Sequence, residues 1–279
     1  MAKSAFLKSS IAKKYWMALT GLFLCLFLVG HLLGNLQLIF SDALHFNQYA
    51  LFMTTNPAVK VLSYLTYASI IFHAIDGIVL TVQNQKARPV KYVMNRPGKN
   101  TIWASRNMAV LGTVILVFIV SHMVTFWAVM HFDEKMPLQT IMINSNGPGL
   151  PPQEFYLTTD GGYLPKAQVD QGLIKIEHRT EFHDAGAKVK LKEGYKDLHK
   201  ITVDFFKQPK YGLIYTILYV LSMVVLGFHL YHGFGSAFQS MGANNPKYNG
   251  LIRNFGYAFA IIVPLLFAII PLYIYFLLK

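Results

Sequence analysis

Four histidines carry most of the chemistry open to this sequence. His31, His73, His122 and His229 fall one each within four successive apolar stretches, and His232 follows His229 by three residues. An ionisable side chain inside a membrane is costly and marks a functional site by default. Neutral imidazole is the commonest side-chain ligand of transition metals and an axial ligand of haem iron. Any one of these histidines alone is most simply a core residue bonded to a neighbouring helix. Four on four consecutive helices suit a bundle that builds a metal or cofactor site from inward-facing side chains.

The elements that must hold them follow from composition. The chain has 279 residues, 54% hydrophobic and only 14% charged, which is too apolar for a soluble domain of this length. Mostly apolar runs of about 18 or more residues can cross a hydrocarbon core of roughly 30 Å. Five such runs lie at about 15–40, 58–83, 106–131, 211–239 and 253–278. The expected fold is an all-α integral membrane protein of five transmembrane helices, the first four forming a haem-binding bundle. Residues 1–131 would hold helices one to three with a cytoplasmic amino terminus, 132–210 an extracytoplasmic insertion, and 211–279 helices four and five. The first run reads as a retained helix rather than a secretory signal, because its apolar core is too long and no small-residue cleavage site follows it. The single cysteine, Cys25, excludes disulfides, thiolate zinc sites and cysteine-held iron–sulfur clusters on this chain alone, and reads as packing.

The net charge of +12 would suggest nucleic acid if it were spread evenly, and it is not. Lys3, Lys8, Lys13 and Lys14 precede the first run; Lys86, Arg88, Lys91, Arg96, Lys99 and Arg106 lie between the second and third; Lys247 and Arg253 lie between the fourth and fifth. Short loops rich in Lys and Arg stay in the cytoplasm. That puts the amino terminus and both basic loops inside, with Lys60, Lys279 and the 132–210 segment outside. In that segment eleven basic and eleven acidic residues cancel. The basic face suits anionic lipid or an acidic soluble partner, not nucleic acid. Within 132–210, apolar stretches at 172–176 and 187–191 predict a short β-hairpin, and His178 and His183, flanked by charges, read as solvated.

Depth sorts the four histidines. Counting at about 1.5 Å per residue, His31 and His122 each lie roughly 24 Å along an outward-running helix, in the outer half. His73 and His229 sit on inward-running helices at mid-depth or below. One iron could therefore be shared by His31 and His122 and a second by His73 and His229. A bare zinc or copper ion would rather gather three or four ligands at one depth. A porphyrin lying against a helix needs a side chain removed about one turn from its ligand. Gly34, Gly77 and Gly233 stand three or four residues after His31, His73 and His229, whereas His122 has Phe126 at that place. Glycine also simply helps membrane helices pack.

The run GFHLYHGFGSAFQSMG, with His229, Gly233 and Gly242 in His-x3-Gly-x8-Gly spacing, resembles the dihaem cytochrome b membrane-anchor subunit of succinate dehydrogenases (succinate:menaquinone oxidoreductases) and fumarate reductases. The likeness covers the five-helix part of the chain. It implies two haem b groups, with His31 and His122 as axial ligands of an outer haem and His73 and His229 of an inner one, His232 being a non-ligand neighbour. It implies a flavoprotein subunit and an iron–sulfur subunit docked at the cytoplasmic face, no succinate site on this chain, and menaquinone as substrate towards the outer side. Gln37, Asp42 and His131 are candidates by position for the quinone and its protons, and Asp76 for a proton path. The long outer insertion and Asp76 depart from the family's compact pattern. Rival expectations are a cytochrome b subunit of another quinone-linked oxidoreductase, or a cofactor-free proton-coupled transporter. Bc-type complexes set two ligands on each of two helices, a pattern absent here, and a transporter would call for broken helices near its polar residues.

Overall fold

The computed structural model describes residues 9–90, 96–144 and 151–278; Lys3, Lys8, Lys91 and Lys279 of the charge count lie outside the described residues. The described residues begin with α1 (Ser10–Phe40), a short α2 (Ala43–Thr55) and α3 (Pro57–Lys86), and the next long helix is α4 (Met108–Phe132). The 132–210 insert ends in α5 (Leu198–Lys207), and α6 (Gly212–Ser240) and α7 (Pro246–Phe276) follow it. Five of these helices, α1, α3, α4, α6 and α7, are long and apolar enough to cross a membrane. Their exposed faces carry large apolar side chains such as Leu26, Phe72, Val117 and Leu265, as expected of a multi-pass protein whose solvent is lipid.

Local chemistry sets where the helices start. Asn56 accepts from the backbone N–H groups of Ala58 and Val59, with Pro57 in the first helical position; Asn245 and Pro246 repeat this device at α7. Such a cap satisfies free amides while proline gives up none that is needed. It also explains why α7 begins at Pro246, about two turns before the apolar run. Inside the long helices, Thr20, Thr66, Thr81, Thr113 and Thr216 donate to the carbonyl four residues back at 2.7–2.9 Å. Hydroxyls are thus satisfied where water is lacking.

Small residues bring α6 and α7 together. Proline at 264 has no amide for the Ala260 carbonyl, and a Cβ on Gly227 of α6 would lie 3.1 Å from that oxygen. A Cβ on Gly256 would meet the Phe234 ring at 2.8 Å. Leu32 and Leu38 of α1 pack with Val263, Ile270 and Ile274 of α7, and Phe46 of α2 and Phe206 of α5 complete the cluster. In α4 the helix loosens to a π-helix over Met123–Ala128, directly after His122. Such π segments recur at functional sites.

The 132–210 insert folds into two three-stranded antiparallel sheets. One is β1 (Thr140–Ile143), β2 (Gln153–Leu157) and β3 (Tyr163–Pro165); the other is β4 (Ile174–Glu177), β5 (Glu181–Asp184) and β6 (Lys190–Glu193). Leu138, Leu164, Ile174 and the wholly buried Phe182 form its core. The predicted hairpin is present as part of a three-stranded sheet: 172–176 leads into β4 and 187–191 into β6, and β5 lies between them, pairing antiparallel with both. His178 is exposed at φ 48°. His183 is not simply solvated, because its Nε2 lies 3.0 Å from Glu181 and its Nδ1 3.8 Å from Glu177. The insert is tied to the helices by Asn47, which donates to Asp197 at 2.9 Å and accepts from the His199 amide at 3.0 Å.

Candidate functional site

Helices α1 and α4 bring the rings of His31 and His122 to a centroid separation of 5.8 Å with planes at 87°. Helices α3 and α6 bring His73 and His229 to 6.1 Å at 69°. Two metal–nitrogen bonds of about 2 Å each, plus two half-rings, put the centroids of an axial imidazole pair roughly 6 Å apart. Rotation of each ring about such an axis is free, so both interplanar angles are compatible with that arrangement.

Three of the four Nδ1 atoms have a polar neighbour on the protein. His73 Nδ1 lies 3.1 Å from the Met17 carbonyl oxygen, which can only accept, so Nδ1 carries the proton and Nε2 keeps its lone pair. Thr20 Oγ1 stands 3.4 Å from the same nitrogen. His122 Nδ1 is 3.4 Å from the Tyr219 hydroxyl, and His31 Nδ1 is 3.4 Å from the Asn35 amide, which also donates to the His31 carbonyl at 2.8 Å. His229 Nδ1 is buried without a partner. Among the described residues none hydrogen-bonds the Nε2 of these four histidines. Aromatic rings pack the His31–His122 pair: Phe27 stacks on His31 at 5.2 Å and Phe118 on His122 at 5.7 Å.

Both pairs line one cavity of about 1940 Å³ that is open on part of its surface. That is about twice the upper end of the ~300–1,000 Å³ range of single-ligand pockets. Gly77 and Gly233 lie on its wall; a Cβ on Gly77 would meet nothing within 4 Å, and one on Gly233 only Met108 at 3.9 Å. Gly34 also lines it, for another reason: the Tyr49 ring packs on it so closely that a Cβ would lie 2.7 Å away. Two glycines missed in the sequence matter as much. A Cβ on Gly21 would lie 3.1 Å from His73 Cε1, and one on Gly112 would lie 3.8 Å from His229 Cε1. Nothing along one helix signals such residues, because the contact crosses to another. Met17 and Tyr219 escaped for the same reason.

The remaining candidates scatter. His232 is on the cavity wall beside His229 but belongs to neither ring pair. His131 lines the opposite end, stacked on Trp127 at 4.6 Å with Nδ1 2.8 Å from the Trp127 carbonyl oxygen. Gln37, Asp42 and Asp76 are not among the residues lining the cavity. Gln37 has a buried carbonyl oxygen without a partner among the described residues. Asp42 caps α2, accepting from the His45 amide at 2.7 Å, which explains it structurally. Comparison with protein-family models, with curated proteins and with solved structures finds no match.

Proposed function

We propose that this chain is the cytochrome b membrane anchor of a succinate:quinone oxidoreductase, passing electrons between an iron–sulfur subunit and menaquinone through two b-type haems. The observation that carries this reading is the geometry of the two imidazole pairs. Each has its rings about one axial-pair distance apart, with Nε2 unengaged and the space between the helices shared in one large cavity. The residues fit haem: Gly77 and Gly233 leave wall where a side chain would intrude, and the Met17 carbonyl fixes His73 in the tautomer a metal needs.

In this reading His31 and His122 hold one haem and His73 and His229 the other, and bound haem supplies one-electron transfer at its iron. The histidines fix the two groups at separate levels, and the apolar walls keep water from them. The end opposite the insert carries Lys13, Lys14, Lys86, Arg88, Arg96, Lys99, Arg106, Lys247 and Arg253. That end is cytoplasmic by the charge rule and receives the iron–sulfur and flavoprotein subunits, the latter holding the succinate site. The insert end is extracytoplasmic. Each menaquinone reduced takes two electrons, delivered singly, and two protons. The decisive experiment is a pyridine haemochrome assay of the purified chain, with two haems b expected per polypeptide. One haem or none would refute the two-site reading.

A further inference from the structure

His122 differs from the other three histidines in what stands behind it. The Tyr219 hydroxyl of α6, 3.4 Å from Nδ1, is the hydrogen-bonding partner of its ring among the described residues. Four residues on, where His73 and His229 have Gly77 and Gly233, His122 has Phe126. That side chain belongs to an aromatic cluster crossing from the bundle to the insert. Phe126 meets the Phe205 ring of α5 edge-on at 5.3 Å, and Phe205 and Phe206 meet Tyr219 at 5.8 and 5.0 Å with planes at 63° and 88°. Phe118 closes the cluster from α4, stacked on His122 at 5.7 Å and edge-on to Tyr219 at 5.0 Å. Edge-to-face pairs add about 0.5–1.5 kcal/mol each beyond their burial, so the Tyr219 ring is held from both α4 and α5. The α5 helix is itself fixed. Phe206 is buried in the core shared with α1 and α7, and a Cβ on Gly212, at the start of α6, would run into the Phe206 carbonyl oxygen.

We propose that Tyr219 is the positioning residue of His122, accepting from its Nδ1–H, and that the insert maintains this bond by holding the Tyr219 ring through Phe205 and Phe206. The assignment rests on the functional reading above, in which Nε2 of His122 binds iron. A hydroxyl can donate or accept, and the choice decides what His122 can do. Were Tyr219 the donor, the ring proton would sit on Nε2 and block the ligand position. With the Tyr219 oxygen accepting, the proton stays on Nδ1 and the Nε2 lone pair faces the cavity. An acceptor at Nδ1–H also makes the imidazole a stronger donor to a metal, which favours the oxidised iron and lowers its potential. The same bond, with Phe118 stacked on the ring, sets the plane of His122 at 87° to that of His31. The insert thus tunes one haem without touching it.

The test is an optical redox titration of the purified, haem-loaded chain, with an electron paramagnetic resonance spectrum of its oxidised form. In Tyr219→Phe the ratio of reduced to oxidised haem at a given ambient potential should rise about fivefold, or ~40 mV for one electron, in the haem of the His31–His122 pair alone. The resonance of that near-perpendicular imidazole pair should broaden. Tyr219→Gln, which returns an acceptor oxygen, should bring the potential back towards native. Phe206→Leu keeps the hydroxyl but loosens its support from the insert, and should move the same haem in the same direction by less. Tyr215→Phe, which removes a hydroxyl one turn away on α6 and keeps the ring stacked on Phe205, should titrate as the native chain does. A native potential in Tyr219→Phe overturns the positioning role, and a native potential in Phe206→Leu overturns the part given to the insert. An equal shift of both haems also overturns the proposal, because it reports a general loosening of the bundle. These failures occur in a chain that holds two haems; a native chain that holds none refutes the functional reading, and this assignment with it.

Discussion

An imidazole whose Nδ1 is committed to a protein acceptor presents Nε2 as a ligand in a fixed tautomer. His73 meets that condition through the Met17 carbonyl at 3.1 Å, and Gly21 packs directly on its ring. Substituting Gly21 with leucine would drive a side chain into the space His73 occupies; overpacking of this kind commonly costs about 1–3 kcal/mol. We expect Gly21→Leu to remove or broaden the signal of the haem assigned to His73 and His229 and to spare the other, as read by optical redox titration. Equal loss of both would point to general unfolding. The ligands themselves give the sharper test. His31→Ala and His122→Ala should abolish one haem, His73→Ala and His229→Ala the other, and His232→Ala neither, because an iron in one layer needs both of its imidazoles at one level. If His31→Ala and His73→Ala removed the same haem, the pairing would be wrong. The grouping of the histidines into His31–His122 and His73–His229 was legible in the sequence, since rise per residue tells which positions on neighbouring helices lie abreast. Met17, Gly21, Gly112 and Tyr219 were not, because each acts on a histidine of another helix.

Among the elements, the long helices were legible because lipid asks only for length and apolarity. The insert was not. Its strands are three to five residues long and read EFHD or KLKE, so charged side chains mask the few inward positions, such as Phe182, that hold the sheets together. Ion pairs crowd β5 and β6. Glu181 lies 2.7 Å from Lys190 and 3.0 Å from His183, and Lys190 and His183 bring its carboxyl down to about 2. Lowering of this sign stabilises the fold above the unfolded value of about 4.3 and is lost as pH falls from there towards 2. The thermal transition of the insert should accordingly fall across that window in the native chain and fall less in Glu181→Gln. Identical profiles would mean that solvent and salt already screen the cluster, as they do most exposed pairs. Helix pairing offers a second check at this scale. Gly256 is pressed against Phe234, so Gly256→Val should separate α6 from α7 and lower the melting temperature, whereas Gly235→Val, with nothing within 4 Å of its Cβ, should change it little.

Across the whole molecule, charge and fold divide the chain into two unlike ends. At one, a balanced, folded insert covers the cavity and is bound to α2 and α4 by Asn47, Asp197, Lys196 and Arg179. At the other, Lys86, Arg88, Arg96 and Lys99 are exposed and lie close in the sequence, with no acidic residue from 86 to 99. Neutralising such a surface is a task for lipid headgroups or for a protein partner, and the two differ in what they respond to. A docked acidic subunit should be released by charge reversal and by salt, because exposed pairs are screened over roughly 8–10 Å near physiological ionic strength. Replacing Lys86, Arg88, Arg96 and Lys99 together with glutamate should therefore lower co-purification of the iron–sulfur and flavoprotein subunits, and lower it further as salt rises. Haem content should not change, because these side chains are exposed and lie beyond the lining of the cavity. If retention were unchanged at every salt concentration, electrostatic docking of the proposed soluble subunits at this end would be refuted, and the basic end would serve the bilayer alone.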